Sequence, residues 1–299
     1  MKPPQDTPAA LPCPHCKATS PFDFAFYVRR YYRCPVCDLI FKHQVKDEAN
    51  TLTYYEQRYF EDHSQDQTSG ERTPVYRSIL AVLGRYRPPG ELLDVGCGCG
   101  HFLREARDRG WDVLGVDPSE SSIAEARTLV GNAALQGTLD DVPPERRFDV
   151  ATLINVLDHM IDAGSQLSRL RGHLKPDGLL YLRFPNGTFH AFLVHLFQRM
   201  GLGDRANRFL VFHEYALTNR TIQQCLAERG YGILEAGNAH LAGTRTNAGT
   251  WTAGDVLRHA FHLCVWATSR GIEKASRGRW IWGPSLQVVA RKISDREPS

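Results

Sequence analysis

The sequence lacks the long apolar run that a transmembrane helix requires. No stretch approaches the roughly 18 consecutive apolar residues that cross a bilayer, and the N-terminus has no apolar core of the kind found in a secretory signal. No repeat with a period of roughly 20 to 50 residues is present. These absences argue against a membrane-spanning protein and a repeat array, and they predict a cytoplasmic location.

A strong excess of one charge is also missing from most of the chain. The 299 residues include 36 Lys and Arg against 33 Asp and Glu, a net charge of +3. The excess lies in residues 201–299, which contain 13 basic and 8 acidic residues. A continuous basic surface for nucleic acid is therefore not supported. Hydrophobic residues make up 42% of the chain, enough for one large domain or two smaller ones.

Four of the eight cysteines form two Cys-x-x-Cys pairs near the N-terminus. Two residues between cysteines let both thiolates reach one ion from a tight turn, and two such turns complete a closed tetrahedral site. The spacing predicts a structural zinc ribbon within residues 1–45, preceded by a loose tail at 1–12. The alternative is a set of reduced, buried thiols. The predicted ligands are Cys13, Cys16, Cys34 and Cys37.

From about residue 75 onward, short apolar runs alternate with helical patterns. This alternation predicts an α/β fold built on a doubly wound, mostly parallel sheet. The predicted strands cover 91–96, 112–117, 133–137, 148–155 and 179–184, with 233–236 and 286–290 closing the sheet. The predicted helices cover 101–110, 119–130, 163–174 and 218–229, with glycine caps at Gly110 and Gly230.

Two kinds of segment fall outside this alternation. Residues 46–74 are polar and predict a connector whose short helix contains Tyr54, Tyr55 and Tyr59, either closing over a ligand or simply packing. Residues 187–215 and 241–283 are helical and aromatic. We interpret these two segments as insertions over the binding face of a domain that spans 75–299.

The segment LLDVGCGCGHFL joins an apolar strand to a glycine-rich turn. Its glycines permit a sharp bend and a close approach of backbone to ligand. The next strand ends in Asp117, 21 residues past Gly96, where a carboxylate can accept hydrogen bonds from both ribose hydroxyls. The third glycine comes one residue earlier than in the dinucleotide fingerprint, and Asp94 would repel a pyrophosphate but suit a cationic amino group. A ligand with a ribose and an amino-acid end fits, which points to S-adenosylmethionine.

These residues resemble motif I of the class I S-adenosylmethionine-dependent methyltransferases. The resemblance continues in the same order along the chain, through VDPS, FDVATLINVLDHMID, LKPDGLLYLRFPN and FHEYALTNRTIQQCLAERGY. The cysteine ribbon and the tyrosine-rich connector are similar to an N-terminal module found on some of these enzymes. The resemblance implies a Rossmann-like methyltransferase fold carrying a small zinc ribbon.

The resemblance also implies roles for individual residues. Asp94 and the glycines would hold the methionine end, Asp117 the ribose, and Asn155 would line the path of the methyl group. Thr138 stands where the family usually has an acid that touches the adenine, which is a departure. The full implied set for the cofactor is Asp94, Gly96, Gly98, Gly100, Asp117, Pro118, Thr138, Leu139 and Asn155.

Methyl transfer from a sulfonium is an in-line displacement that needs alignment and exclusion of water. An oxygen or carbon acceptor would benefit from a base. His159 and His213 are the candidate bases, with a structural role as the alternative for each. Asp158 and Glu214 are expected to be exposed surface charges.

The expected function is methylation of a small molecule, such as a sugar, a lipid-linked compound or a natural product, at oxygen or carbon. An RNA methyltransferase that uses its ribbon to bind nucleic acid and a binding protein without cofactor remain as alternatives. Residues 245–299 combine basic residues with Trp266, Trp280 and Trp282. This composition suits peripheral contact with anionic lipid or a phosphorylated acceptor, or a packed helix with a solvated basic face.

Overall fold

The computed structural model describes residues 8–43, 72–160, 162–202, 210–240 and 253–293. The predicted connector helix with Tyr54, Tyr55 and Tyr59 lies outside the described residues. The strands are β1 (Ala10–Pro12), β2 (Thr19–Phe26), β3 (Arg29–Arg33), β4 (Ile40–Lys42), β5 (Glu91–Val95), β6 (Asp112–Asp117), β7 (Ala134–Gln136), β8 (Phe148–Ile154), β9 (Leu174–Pro185), β10 (Tyr215–Ala216), β11 (Tyr231–Asn238) and β12 (Ser285–Lys292).

The helices of the described residues alternate with the strands of the larger sheet. Four of them begin at a side chain that accepts a backbone N–H of the first turn: Ser119, Asp162, Asn186 and Thr218. The α-helices are α1 (Thr73–Leu83), α2 (His101–Arg107), α3 (Glu120–Val130), α4 (Ala163–His173), α5 (Gly187–Arg199), α6 (Asn219–Ala227) and α7 (Ala253–Ala275). Three 3-10 turns cover Gly131–Ala133, Leu139–Asp141 and Leu157–His159.

A seven-stranded sheet forms the centre of the larger domain, in the order β11-β12-β9-β8-β5-β6-β7. The strands from β9 to β7 pair in parallel, and β12 runs antiparallel to both β9 and β11. Its central strands are buried on both faces, as expected when helices cover each side. The predicted doubly wound, mostly parallel α/β fold is confirmed.

Two helix ends differ from the sequence prediction. We expected Gly110 and Gly230 to cap helices directly, but α2 ends at Arg107 and α6 at Ala227. Each glycine N–H donates to a carbonyl three residues back, so a tight turn separates the helix from its glycine. The glycines, with φ of 87° and 69°, reverse the chain after that turn.

The strand predicted at 179–184 starts five residues earlier, at Leu174. Phe148 of β8 pairs with Leu174 and Val150 with Leu179, so the intervening residues form a bulge. Asp177 takes a left-handed conformation within this bulge, with a φ of 58°. The sequence Pro176-Asp177-Gly178, which is typical of a turn, therefore bends a strand here and does not separate a helix from a strand.

The N-terminal ribbon forms a five-stranded sheet in the order β1-β2-β3-β4-β10. The prediction of a loose tail at 1–12 is wrong at Ala10–Pro12, which pairs with β2. The last strand comes from far along the chain, with Tyr215 opposite Phe41. One buried cluster joins Tyr32 and Phe41 of the ribbon to Leu182 of the central sheet. The ribbon therefore shares its core with the domain that follows it.

Within the segments predicted as insertions at 187–215 and 241–283, the described helices contact different parts of the protein. Ala191 and Val194 of α5 pack against Phe24 and Phe26 of the ribbon. The long helix α7 is tied to β11, where the Asn238 amide donates to Glu273 at 2.8 Å. Among the described residues, no helix has both the length and the apolar character to span a membrane.

Candidate active site

The glycine turn lies between β5 and α2, at the carboxyl end of the sheet. Gly96, Gly98 and Gly100 all have positive φ, at 74°, 51° and 75°. A Cβ on Gly96 would collide with the side chain of Val156 in the turn after β8. The glycines therefore allow two neighbouring loops to meet at this edge of the sheet, as well as the sharp bend itself.

Asp117, at the end of β6, faces the glycine turn. One carboxylate oxygen accepts from the Gly98 N–H at 2.9 Å, and the other from the Ser119 N–H at 3.0 Å. Burial raises the pKa of Asp117, while these two hydrogen bonds lower it. Each oxygen has a second lone pair. The carboxylate can thus hold the turn in shape and still accept a ligand hydroxyl.

Asp94 is the buried acid of the motif, with 2% of its surface exposed. Thr152 of β8 donates to it at 2.6 Å. Burial raises the pKa of Asp94 to about 7, with the Thr152 hydrogen bond opposing the rise and the charge of Asp117 adding to it. The carboxyl group can therefore change its charge near neutral pH.

On the far side of β6 lie Thr138 and Leu139, after β7. The N–H of Thr138 donates to Asp141 at 2.7 Å, and the Thr138 hydroxyl accepts from the Asp140 N–H at 3.3 Å. This reciprocal cap fixes the turn, while Leu139 is buried in the core. The polar Thr138 lies at the position that the resemblance assigned to the adenine contact.

Asn155 follows β8 and adopts a left-handed conformation with a φ of 57°. Its N–H donates to the carbonyl of Arg183 at 2.7 Å, and its side-chain oxygen accepts from the Arg183 guanidinium at 2.6 Å. Sequence reasoning did not select Arg183. The available signal was a charged residue near the end of the otherwise apolar strand LLYLRF.

Both predicted histidines lie at this edge, beside a buried acid. The ring centroids of His159 and His213 are 3.8 Å apart, and His213 Nε2 is 3.6 Å from Asp158 Oδ2. One atom each of Asp158, His159 and His213 lies within 4.8 Å of the others. Groups of this type at this separation can share a proton or a divalent cation.

Asp158 was expected to be an exposed surface charge, and that expectation is wrong. It is 1% exposed, and neither carboxylate oxygen has a hydrogen-bond donor within the described ranges. The turn at Leu157–His159 directs it beneath His213. Glu214 is not free on the surface either, since Lys42 lies 2.5 Å from its carboxylate. A buried carboxylate without hydrogen-bond donors, as at Asp158, lowers the stability of the fold, and such groups concentrate at functional sites.

The protonation of the pair follows from its burial. Burial and then the neighbouring His159 lower the pKa of His213 to about 4, against the charge of Asp158. Burial raises the pKa of Asp158, against the charge of His213. His213 is therefore a neutral imidazole at neutral pH, able to take up a proton.

The four cysteines of the N-terminal ribbon converge on one point. Cys13 Sγ lies 3.5 Å from Cys37 Sγ, and Cys16 Sγ lies 3.4 Å from Cys34 Sγ. All four sulfur atoms lie within 4.8 Å of one another. Four thiols at this spacing match the closed tetrahedral set that zinc prefers.

A family model described as a methyltransferase domain matches residues 69–236. The ubiquinone biosynthesis O-methyltransferase of Bradyrhizobium diazoefficiens is 34% identical over 106 residues, covering 34% of this chain and 42% of that protein. The corresponding enzyme of Nitrobacter winogradskyi is 35% identical over 106 residues, covering 34% and 41%. The chain thus spans less than half the length of these curated relatives.

Solved structures share the fold. The magnesium protoporphyrin IX methyltransferase of Synechocystis PCC 6803, with bound SAH (S-adenosylhomocysteine), has a TM-score of 0.54 and 17% identity, covering 82% of this chain and 100% of that one. The plantazolicin methyltransferase BpumL, in complex with a triazolic desmethylPZN analogue and SAH, has a TM-score of 0.51 and 15% identity, covering 82% and 95%.

The chain thus has the α/β fold of these S-adenosylmethionine-dependent methyltransferases, together with an N-terminal four-cysteine ribbon. Because the family match covers more than half of the chain, the protein belongs to the methyltransferase domain family.

Proposed function

We propose that the protein transfers a methyl group from S-adenosylmethionine to a small-molecule acceptor, at oxygen or carbon. The observation that carries the proposal is the meeting of the glycine turn, Asp117 and the Asp158–His213 pair at one edge of the sheet. The curated relatives are named for O-methylation in ubiquinone biosynthesis, which favours an oxygen acceptor. Sugar, lipid-linked and natural-product acceptors are the compound classes to test.

The donor would lie across the carboxyl ends of β5 and β6. S-adenosylmethionine supplies an activated methyl group on a positively charged sulfur. Asp94 would attract its ammonium group, Asp117 would accept from its ribose, and Asn155 would line the methyl path. Pro118, Thr138 and Leu139 would border the adenine. The buried floor of the site excludes water from that side, which favours in-line displacement.

His213 is the proposed base, because it is neutral and lies beside a carboxylate. It would accept the acceptor's hydroxyl proton as the carbon–oxygen bond forms. The resulting imidazolium would be stabilised by Asp158 at 3.6 Å. His159 would hold the His213 ring in place through their contact. Alternatively, His159 would be the base and His213 would hold its ring.

The test combines donor binding with a search for the acceptor. Calorimetry should give a dissociation constant for S-adenosylmethionine well below about 1 mM. Methyl-labelled donor is then incubated with panels of phenols, polyprenylated phenols and sugar nucleotides. We expect label in one panel and at least tenfold loss in His213→Gln, a typical effect of removing a general base. Absence of donor binding at about 1 mM would contradict the proposal.

We also propose that the four cysteines bind one structural zinc ion. The sulfur geometry supports this, and a four-thiolate site leaves no open position for chemistry. Metal analysis of the purified protein should find one zinc per chain, lost in Cys34→Ser. Cys264→Ser is the matched control, because Cys264 is exposed on α7. Equal zinc in wild type and Cys34→Ser would contradict the assignment.

Contact between the C-terminal third and anionic lipid stays a prediction. Trp280 is 71% exposed, and Val256 and Leu263 of α7 are each 52% exposed. Binding to phosphatidylglycerol vesicles but not phosphatidylcholine vesicles, reduced in Trp280→Ser, would support it. The prediction would be contradicted if the same amount of protein sedimented with phosphatidylglycerol vesicles as without vesicles.

A further inference from the structure

Arg183 is a buried cation near the carboxyl end of β9. It is 5% exposed, and within the described residues its guanidinium contacts an amide and a main-chain carbonyl but no carboxylate. The charge of the buried Asp158 acts on Arg183, but no hydrogen bond joins the two side chains. Burying a charge is costly in proteins, and the cost falls when an anion pairs with it directly. A ligand carboxylate could supply that direct partner.

The guanidinium is anchored through two of its three nitrogens. Nη1 donates to Asn155 Oδ1 at 2.6 Å, and Nη2 donates to the His240 carbonyl at 3.1 Å. Nε finds no acceptor in the described part of the chain. Arginine has five N–H donors in a rigid fork, so the two anchors fix the plane and leave donors for a further partner.

The groups around Arg183 carry charges of both signs. Burial lowers the pKa of Arg183 and Arg72, just before α1, lowers it further, while Tyr181, Tyr76 and Asp158 raise it. Tyr76 of α1 lies in the fields of Arg72, Asp94 and Arg183 together. A cationic pair and an acidic group therefore border one region, as recognition of a carboxylate beside an ammonium group would require.

We propose that Arg183 forms an anion subsite that pairs with a carboxylate of a bound ligand. The carboxylate comes either from the amino-acid end of the donor or from the acceptor, since Arg183 lies between Asn155, which follows β8, and His240, which follows β11. This proposal rests on the proposed function, because it places the carboxylate in the same methyl-transfer site. Arg183 determines which ligands fit and does not take part in the displacement.

The first experiment tests the donor as the source. Calorimetry compares S-adenosylhomocysteine with its decarboxylated analogue on wild type, Arg183→Gln and Arg229→Gln. Arg229 is a matched control, because it binds the carbonyls of Gly164 and Cys225, at 2.7 and 2.9 Å. If the donor supplies the anion, removing its carboxylate weakens binding about tenfold or more in wild type and Arg229→Gln, and less than twofold in Arg183→Gln.

The second experiment tests the acceptor as the source. With S-adenosylhomocysteine saturating, acetate and benzoate are titrated while the Nε–H resonance of Arg183 is followed by NMR, with benzyl alcohol as the uncharged control. The anion is assigned to the acceptor if acetate and benzoate shift this resonance, benzyl alcohol does not, and S-adenosylhomocysteine stays bound with unchanged affinity. This measurement uses wild-type protein, so it decides even if Arg183→Gln fails to fold.

The proposal is overturned if neither carboxylate source shows dependence on Arg183. Failure of the proposed function looks different, because S-adenosylhomocysteine would then not bind wild type at all. In that case the acetate and benzoate titrations, run without nucleoside, still test Arg183. A shift would retain the anion subsite, and its absence would remove it.

Discussion

The hydroxyl of Tyr31 in the cysteine ribbon donates to the main-chain carbonyl of His213 at 3.0 Å. The two residues are 182 positions apart in sequence. Two further contacts reinforce this junction: the Lys42 N–H donates to the Glu214 carbonyl at 3.1 Å, and Thr221 donates to the Cys37 carbonyl at 2.9 Å. The ribbon therefore positions the segment that carries the proposed base.

Tyr31→Phe should loosen His213 without affecting the donor site. Loss of one hydrogen bond costs about 1 kcal/mol, and a more hydrated His213 should show a pKa that rises from about 4 toward its ordinary value. NMR titration of the histidine ring measures this. Tyr32→Phe is the matched control, since its hydroxyl donates to the carbonyl of Pro8 at 2.8 Å. Equal His213 titration in both variants would show that Tyr31 has no positioning role.

Asp117→Ala should weaken S-adenosylhomocysteine binding by about tenfold or more, because it removes charged acceptors from the ribose position. It also releases the Gly98 N–H, which loosens the glycine turn. Asp112→Ala is the control, because Asp112 is exposed at the opposite end of the same strand. Calorimetry that returns the wild-type dissociation constant for Asp117→Ala would remove this residue from the site.

Donor affinity should fall as the pH drops below about 7. Asp94 has a pKa of about 7 in the folded protein, so acid neutralises the carboxylate that would attract the ammonium group. Binding near pH 7 should therefore release a fraction of a proton. Calorimetry in buffers of different ionisation enthalpy measures that release.

Asp94→Asn should bind the donor more weakly and lose most of this pH dependence.

The stability of the folded protein should depend on pH in the opposite direction to donor binding. Because the pKa of Asp94 is raised above its ordinary 3.8, the folded state holds more protons than the unfolded state between about pH 4 and 7. Its contribution to the free energy of unfolding therefore decreases as the pH rises through that window.

Asp158→Asn should keep or raise thermal stability, because it removes a buried carboxylate that has no donor among the described residues. The same variant should lower the pKa of His213 further, since the negative charge of Asp158 raises it. Melting curves and histidine NMR test the two effects separately. A marked loss of stability, with an unchanged His213 titration, would show that Asp158 has only a structural role.

Several features followed from local sequence. The helices predicted to start at 119 and 218 do start there, with Ser119 and Thr218 as N-caps, because an N-cap depends on residues two or three positions away. The glycine turn and the apolar strands were likewise local signals. Helix ends were predicted less well at Gly110 and Gly230, because a single turn of 3-10 geometry moves the end without altering the sequence pattern.

The burial of Asp158 and the position of Arg183 could not be obtained in this way. A carboxylate is usually exposed, whereas Asp158 is buried where distant elements pack together, with His213 3.6 Å away. The pairing of Tyr215 with Phe41 also depends on the packing of segments that are far apart in the sequence. Backbone groups at a sheet edge can bind any available strand, so the sequence does not specify which distant segment will complete the ribbon.

By itself, the sequence determined the fold class, the four converging cysteines and the glycine turn followed by Asp117, since each depends on residue types at short, regular spacings. The tertiary structure alone decided that the ribbon reaches His213, that Asp158 lies beneath it, and that Arg183 is buried beside Asn155. These features join residues far apart in the chain, and their charges and burial arise only when separate elements pack together.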